Sequence, residues 1–431
     1  MRTRSGVAHA SSGQGGDIMK TRFFDRLIAQ GTLVVHFPDT NTRIIGQGPP
    51  TAHIHLRERK VLARLLSDPE MAFGEAYMDG DWWPGEGGLL AVFELYFTNA
   101  DKFGSNPILD LARHALRGLR EANSRLRSRR NVRHHYDIDH ELFARFLDSE
   151  MHYSCAYFES PDMDLEAAQQ AKCRHIARKL CLEPGDRVLD IGCGWGGLAR
   201  YLARHYDVTV TGLTLSDDQY EYAQARAQHE GLADRLRFLK QDYREHQRQE
   251  SDGYDAIVSV GMFEHVGRPQ FQIFFDQLQR LLNPGGRSLI HTIGRNGPPI
   301  EDTHGWIERY IFPGGYVPSL SEVVPCIEKT GMSLADVEVW RLHYARTLDC
   351  WNQRFQQHRE AFRDRLGERF CRMWEFYLLG CQAIFRWGEL VVFHLQLAQR
   401  NDVVPVTRDY LYRARLEAPR RIQDTEFDRT G

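Results

Sequence analysis

Residues 188–197 read VLDIGCGWGG, and this stretch decides the fold that the chain is expected to adopt. Two apolar residues lead into Asp190, glycines recur at positions 192, 194 and 196, and the following LARYLARHY has the apolar spacing of a helix. The pattern predicts a buried strand, a tight turn and a helix N-terminus. Because glycine lacks a Cβ, backbone N–H groups in such a turn approach a ligand closely at the end of the strand. The stretch therefore indicates a site for a nucleotide-like ligand.

The kind of ligand is not settled by the glycines alone. They formally satisfy the dinucleotide pattern G-x-G-x-x-G, but that assignment also needs an acidic residue about 20 residues further on for the ribose. The next predicted strand ends in Leu213 and Thr214 instead. Asp190, just before closely spaced glycines, suits a smaller ligand with a positive centre. We favour S-adenosylmethionine (SAM), and a NAD or flavin site or a purely structural turn remain the alternatives.

Strands and helices alternate after residue 185. Predicted strands RVLDI, VTVTGLTL, LRFLKQ, YDAIVSV and RSLIHTI are separated by helical segments, and Ser216 with Gln219 three residues on has the pattern of a capping box. This alternation predicts an α/β fold with a parallel, doubly wound sheet. Ligands of such folds bind outside the carboxyl ends of the strands. A further strand is expected in DVEVWRL, and the aromatic-rich residues 352–397 are expected to be helical.

Composition excludes several classes of protein. The 431 residues carry a net charge of only −3, so no global field points to nucleic acid. The eight cysteines form no C-x-x-C pair and no Cys/His metal spacing, so we expect neither a disulfide framework nor a metal site. A cytoplasmic location is the simplest inference. No apolar run reaches the roughly 20 residues that span a bilayer.

The chain is expected to have four parts. Residues 1–17 are Ser/Gly-rich and are interpreted as a disordered tail; residues 18–105 form a small α+β domain with a helix in RFFDRLIAQ, strands in TLVVHF and AHIHL, and a helix near 57–66. Residues 106–135 contain eight arginines against almost no acid and are predicted to form a linker helix. Such a helix either lies on an anionic membrane surface or is a solvated connection. Residues 136–431 form the domain that contains the predicted glycine turn.

Several strings, in order along the chain, resemble one family, the cyclopropane-fatty-acyl-phospholipid synthases and their relatives, the mycolic acid cyclopropane synthases. The amino-terminal FGEAYMDGDWW looks like the extra domain of the phospholipid-acting members. The resemblance implies a Rossmann-like class I SAM-dependent methyltransferase fold. The matching strings are HYSCAYF, AQQAKCRHIARKL, VLDIGCGWGGLARYLA, VTGLTLS, QDYR, IVSVGMFEHVG, LIHTIG, WIERYIFPGG and HYARTLDCW.

The resemblance also implies two sets of site residues. Those expected to bind SAM are Tyr153, Ser154, Asp190, Gly192, Gly194, Thr214, Gln219, Asp242 and Tyr243. Those expected to hold a bicarbonate ion and act in catalysis are Cys155, Glu264, His291, the backbone of Ile293, and Tyr344; Cys381 also falls where the family has a cysteine.

Each candidate has a plainer interpretation. Cys155 would otherwise be an inert buried thiol, Glu264 and His265 a polar pair that caps the next element, and His291 a core histidine. We favour a site role for Glu264 and a structural one for His265. Cys381 lies in an apolar segment and is better explained by packing.

The activity implied is transfer of a methylene group from SAM to the cis double bond of an unsaturated phospholipid acyl chain. The reaction would pass through a carbocation, with bicarbonate as the base, and give a cyclopropane ring. A relative that ends the same cation as a methyl branch or a methylated alkene is the alternative, and a non-catalytic lipid-binding protein on the same fold is a second class. The resemblance further implies a homodimer associated with the inner face of the membrane.

Overall fold

The computed structural model describes residues 28–67, 69–100, 140–248, 253–300 and 305–412. It divides into two compact units, of which the first contains the described parts of Met1–Leu111 together with Leu366–Ala383. The second contains the described parts of Ala112–Arg365 and Ile384–Gly431. The expected tail and the basic linker lie outside the described residues, as does most of the predicted helix in RFFDRLIAQ.

The first unit is built on a small mixed sheet. Its strand order is β2-β1-β3-β4, with β1 parallel to β3 and the other pairs antiparallel. Strands β1 and β3 confirm the alternation in TLVVHF and AHIHL, whereas β2 and β4 were not predicted. The strands are β1 (Gly31–His36), β2 (Thr42–Gln47), β3 (Thr51–Leu56) and β4 (Trp82–Pro84), and the helices are α1 (Val61–Ser67), α2 (Pro69–Met78) and α3 (Gly88–Thr98).

Aromatic side chains form the core of this unit. The fully buried Trp82 stacks on Phe73 with ring centroids 4.6 Å apart and contacts Tyr77 at 5.1 Å. Phe376 lies edge-on to Phe93 at 5.0 Å, which shows why Leu366–Ala383 belongs to this unit. The sequence did not indicate that a segment so late in the chain would pack here.

The second unit contains a seven-stranded sheet in the order β10-β11-β9-β8-β5-β6-β7. The neighbouring pairs among β5 to β9 are parallel, as the alternation predicted. Its strands are β5 (Arg187–Ile191), β6 (Thr209–Thr214), β7 (Leu236–Lys240), β8 (Tyr254–Val260), β9 (Leu282–Arg295), β10 (Ser333–Trp340) and β11 (Leu390–Ala398).

Helices cover both faces of this sheet in the sequence order of a doubly wound fold. They are α4 (His140–Phe146), α5 (Leu165–Lys179), α6 (Gly197–His205), α7 (Asp217–His229), α8 (Phe271–Leu281), α9 (Gly305–Tyr310), α10 (Leu320–Glu328), α11 (His343–Gln357), α12 (Arg359–Leu366) and α14 (Asp409–Tyr412). The remaining helix, α13 (Glu368–Trp387), has most of its residues in the first unit. Among the helices of the described residues, none combines the length and apolar character needed to cross a membrane.

At one edge, the sheet differs from the predicted parallel arrangement. Strand β11 runs antiparallel to both β9 and β10, so the sheet is mixed rather than wholly parallel. Residues 390–397 were expected to be helical, and that expectation was wrong. Eight of the nine residues of β11 are buried, because neighbours cover both of its faces, and a short, continuously buried run carries no alternation to distinguish strand from helix.

Candidate functional site

The glycine turn follows β5 as predicted and is fixed by backbone hydrogen bonds. The N–H groups of Gly192 and Cys193 both donate to the carbonyl of Leu213 on β6, at 2.9 Å. Gly192 and Gly194 have φ angles of 81° and 53°, a region that favours glycine. A Cβ on Gly192 would lie 2.7 Å from Met262, whereas a Cβ on Gly194 would meet nothing within 4 Å. The turn therefore presents open backbone at Gly194 and closely packed backbone at Gly192.

A single cavity lies at the carboxyl ends of β5, β6 and β8. All nine residues expected to bind SAM line it: Tyr153, Ser154, Asp190, Gly192, Gly194, Thr214, Gln219, Asp242 and Tyr243. They come from four separate stretches of the chain, so their convergence follows from the fold and not from closeness in sequence. The structure thus brings the whole predicted set together.

Asp190 is the buried acid of this cavity. Its Oδ2 atom has no hydrogen-bond partner among the described residues, and the side chain is almost fully buried. Burial raises the pKa of Asp190 to about 7, although the positive charges of His152 and Lys172 oppose the rise. A buried carboxylate without a direct partner is costly, so this position suits a cationic group of a ligand.

Thr214 and Gln219 form a second polar point of the cavity. The side chain of Ser216 accepts from the Gln219 N–H, which confirms half of the predicted capping box. The Gln219 side chain does not return to the helix N-terminus; its Oε1 accepts from Thr214 Oγ1 at 2.8 Å instead. The second half of the box was therefore wrong, because Thr214 competes for the amide. The amide faces the cavity, where it suits hydroxyl groups of a ligand.

Asp242 and Tyr243, which follow β7, line another side of the cavity. Asp242 accepts from Arg244 Nε at 2.9 Å and from Arg244 Nη2 at 2.6 Å, a two-pronged ion pair that fixes the carboxylate. Tyr243 begins the 3₁₀ turn Tyr243–Glu245 and lies edge-on to Phe274 at 5.4 Å. Both side chains are therefore held in place before a ligand enters.

Four further residues of the cavity were missed or undervalued. Lys172 is buried on α5 and donates to Ser154 Oγ at 2.8 Å. Burial alone would lower the pKa of His152, but its neighbours Cys173 and Asp148 raise it to about 9. Trp195 lines the cavity with an Nε1 that has no hydrogen-bond partner among the described residues. His265, interpreted as structural, also lies on the wall, and burial lowers its pKa to about 4.

Glu264, His291 and Ile293 come together where β8 and β9 end. The 3₁₀ turn Phe263–His265 carries Glu264, whose Oε1 accepts from the Ile293 N–H at 2.7 Å. Its Oε2 is buried and has no hydrogen-bond partner among the described residues. Burial raises the pKa of Glu264 to about 7, against the Ile293 N–H and the neighbouring Thr292 side chain, which both lower it. The Gly261 N–H donates to the His291 carbonyl at 2.9 Å and ties the two strand ends together.

Cys155 is joined to the helix that carries Tyr344. It is fully buried, and burial raises the pKa of its thiol far above the usual value, so the sulfur stays protonated. The N–H of the next residue, Ala156, donates at 3.0 Å to Thr347 Oγ1, one turn along α11 from Tyr344. Cys381 belongs to the first unit, and burial raises its pKa to about 12.

Aromatic rings continue from the cavity toward Tyr344. Tyr153, which lines the cavity, has its ring centroid 5.2 Å from that of Trp351, and Trp351 lies edge-on to Tyr344 at 5.9 Å. Tyr344 in turn contacts Phe385 at 4.7 Å. Trp351 is fully buried, so the row is a packed aromatic connection between the cavity and Tyr344.

The glycine turn follows β5, the first strand of the seven-stranded sheet in chain order, and it borders a cavity that contains a buried acid. These features define the second unit as a class I SAM-dependent methyltransferase. The match to known families makes this more specific. The family model described as mycolic acid cyclopropane synthetase matches residues 123–395, and the chain belongs to this family. A second model, described only as a domain of unknown function, matches residues 21–107.

Individual relatives agree with this assignment. The cyclopropane-fatty-acyl-phospholipid synthase of Escherichia coli is 39% identical over 81% of this chain and 88% of its own. The tuberculostearic acid methyltransferase of Mycobacterium tuberculosis is 34% identical over 85% of this chain and 88% of its own. Among solved structures, the cyclopropane synthase MmaA2 from M. tuberculosis is 36% identical with a TM-score of 0.59, covering 63% of this chain and 98% of that one.

Proposed function

We propose that this protein transfers a methylene group from SAM to the cis double bond of an unsaturated phospholipid acyl chain and closes a cyclopropane ring. The single observation that carries the proposal is the buried Oε2 atom of Glu264, close to where His291 and Ile293 lie. This atom has no hydrogen-bond partner among the described residues. Such an atom fits the hydroxyl group of a small bound anion. The names of the relatives from E. coli and M. tuberculosis support a lipid acyl substrate.

The cavity residues fit SAM. Asp190 suits the positive amino group, and Thr214 with Gln219 suits the ribose hydroxyls. Gly194 leaves open backbone against which a ligand rests. SAM supplies a methyl group on a positively charged sulfur, which makes that methyl electrophilic. A solved mycolic acid cyclopropane synthase at 35% identity was crystallised with SAH, which supports this use of the cavity.

The acceptor is an alkene, a weak nucleophile, so the protein must hold it in line with the methyl group and exclude water. We place the acyl chain beside Tyr153, which lines the cavity and begins the aromatic row through Trp351 to Tyr344. Methyl transfer leaves a carbocation on the chain, and aromatic faces stabilise a nearby cation. The same row therefore serves both the binding of the chain and the charge that develops on it.

The chain's own residues fit a bound bicarbonate. Glu264 accepts a hydrogen bond through Oε2, and the family resemblance adds His291, Tyr344 and the Cys155 thiol as the other polar groups of the site. The Ile293 N–H already donates to Glu264, so we assign it to holding that carboxylate rather than to the anion. Bicarbonate supplies the base that removes a proton from the transferred methyl group. No functional role is assigned to Cys381.

A relative named as a methyltransferase and not as a cyclopropane synthase supports a second possible outcome, in which the same cation ends as a methyl branch or a methylated alkene. The test is to incubate the protein with SAM and unsaturated phospholipid, and to analyse the released acyl chains by mass spectrometry and proton NMR. Ring protons with loss of the olefinic signal support cyclopropane formation. A retained double bond on a methylated chain refutes it, and omission of SAM is the control.

We propose three further properties from the sequence and the family. Residues 18–105 are proposed as a lipid-associated domain and residues 106–135 as a basic linker helix, which suits peripheral attachment to the inner face of the membrane. A homodimer is the expected assembly, and light scattering of the purified protein tests it. Residues 136–431 are proposed as the catalytic part of the chain.

A further inference from the structure

Three ionisable side chains lie side by side across three neighbouring strands. His394 on β11 is directly opposite His291 on β9, and Glu338 on β10 is directly opposite His394. Directly paired residues of antiparallel strands point to the same face of a sheet. His291 Nδ1 and His394 Nε2 are 2.7 Å apart, a hydrogen bond between two rings that are both buried. The row therefore begins at a proposed bicarbonate residue and runs toward the edge of the sheet.

The outer end of the row reaches solvent. Glu338 lies on the edge strand, with its side chain 20% exposed, and its Oε2 is 2.7 Å from His175 Nε2 and 2.9 Å from Lys179 Nζ. One nitrogen or oxygen each from His175, Glu338 and His394 lie within 4.8 Å of one another. His394 Nδ1 is buried without a hydrogen-bond partner among the described residues. One water molecule or a small ring movement spans the remaining gap.

The charge states of the three side chains differ along the row. Burial, with a contribution from nearby positive groups, holds the pKa of His291 and His394 well below the usual value, so both rings are neutral at physiological pH. Burial alone would raise the pKa of Glu338, but His175 and Lys179 bring it down to about 2. The groups that face His394 are Lys172, His175 and Lys179 from α5, His291 from β9 and Glu338 from β10. Two neutral rings therefore lead to an ionised carboxylate at the partly exposed end of the row, which does not itself retain a proton.

We propose that this row is the exit path for the proton that cyclopropane formation releases. The inference rests on the proposed function, because that reaction produces one proton inside a buried site at each turnover. A proton arrives at His291 Nε2, the proton on His291 Nδ1 moves to His394 Nε2, and the proton on His394 Nδ1 leaves toward Glu338 and solvent. One N–H bond forms and one breaks on each ring, so both end neutral and one proton has crossed. Reorientation of the rings restores the starting tautomers.

A metal site is the competing interpretation of His175, Glu338 and His394, and the charges disfavour it. The Lys179 ammonium lies 2.9 Å from Glu338 and 3.2 Å from Asp336, so the carboxylate of the cluster is already neutralised. A divalent cation placed beside a buried ammonium would be repelled. Metal analysis of the purified protein nevertheless forms part of the test.

The experiment measures the amount of product formed per active site over successive turnovers. The full-length protein is mixed with SAM and vesicles of unsaturated phospholipid, and S-adenosylhomocysteine and cyclopropane are quantified by rapid quench through the first turnover and afterwards. Gln at position 394 keeps a hydrogen bond toward His291 but passes no proton. In His394→Gln we expect a first turnover at the wild-type rate and later turnovers slower by on the order of tenfold or more, with added imidazole restoring them.

Two other variants complete the design. Glu338→Gln changes the partly exposed end of the row, so it carries the test if His394→Gln fails to bind SAM, and we expect the same pattern from it. His229→Gln makes the same chemical change on the exposed surface of α7 and serves as the control. Unchanged later turnovers in both row variants would overturn the proposal, and so would a first turnover slowed as much as the later ones.

Two results separate this inference from others. Stoichiometric metal in the wild type that is lost in His394→Gln would replace the exit path by a metal site. Absence of cyclopropane in the wild type would refute the proposed function itself. That outcome is visible before any variant is compared, so the two failures are distinguishable.

Discussion

The carboxyl of Glu264 should make the stability of this protein depend on pH. Burial raises its pKa in the folded chain from 4.5 to about 7. This difference in pKa corresponds to about 3 kcal/mol of unfolding free energy. Because the folded-state value is the higher one, the folded state favours the protonated acid. The associated stability is fully present below pH 4.5 and is lost as the pH rises through about 7.

Glu264→Gln removes this dependence. The amide still accepts from the Ile293 N–H but cannot ionise. We therefore expect the two proteins to unfold at similar temperatures near pH 5. By pH 8.5 the variant should unfold higher, with a midpoint difference on the order of 5 °C for about 3 kcal/mol. Cyclopropane formation should fall by about 10²-fold or more, because the variant presents an amide nitrogen where Oε2 would accept.

The assay is thermal unfolding of both proteins from pH 5 to 8.5 in buffer freed of carbon dioxide, so that no anion occupies the site. Glu360→Gln on the exposed surface of α12 is the control and should show the same difference from wild type at every pH. If the gap between wild type and Glu264→Gln does not widen with pH, Glu264 is not an acid held in a dry site. The proposed role of its Oε2 would then be refuted.

Three other perturbations follow from the site. Gly192→Ala should weaken SAM binding in calorimetry and lower stability by about 1–3 kcal/mol, whereas Gly185→Ala, with a similar φ but open space, should leave SAM binding intact. Lys172→Met removes a charge that holds down the pKa of Asp190, so the loss of SAM affinity on acidification should begin at a higher pH; an unshifted profile would contradict that pairing. Replacing the four arginines within residues 125–130 by Gln should weaken binding to anionic vesicles and its salt dependence, with SAM affinity unchanged. If the variant and the wild type bind vesicles equally, the segment is a linker without a role in membrane binding.

The parts of the fold that the sequence predicted are those set by local chemistry. The strand, glycine turn and helix around Gly192 were placed correctly, since positive φ angles and the apolar run of β5 are readable in ten residues. The N-cap at Ser216 followed from a local rule as well. The Gln219 side chain did not, because its choice between the helix N-terminus and Thr214 depends on a strand end that approaches through the fold.

The features that the sequence did not predict depend on contacts between segments far apart in the chain. Strand β11 looked helical because it is buried between two neighbours, and only the pairing with β9 and β10 makes it a strand. That same pairing creates the row of His291, His394 and Glu338 from residues that lie 103 and 56 positions from His394 respectively. No spacing rule relates such positions. The roles of the site residues themselves came from the family resemblance and remain proposals.

Helix α5 joins the two proposed halves of the chemistry. Lys172, His175 and Lys179 are three and seven residues apart, so they share one face over about 10 Å of helix. A run of basic residues at this spacing is normally solvated, but here each has a polar partner: Lys172 on Ser154 at the cavity, His175 and Lys179 on the partly exposed Glu338 at the end of the row. Charges are tolerated inside a protein only with such partners. The basic face of α5 is therefore best explained as the element that places a positive charge beside the cavity at one end and holds the Glu338 carboxylate ionised at the other.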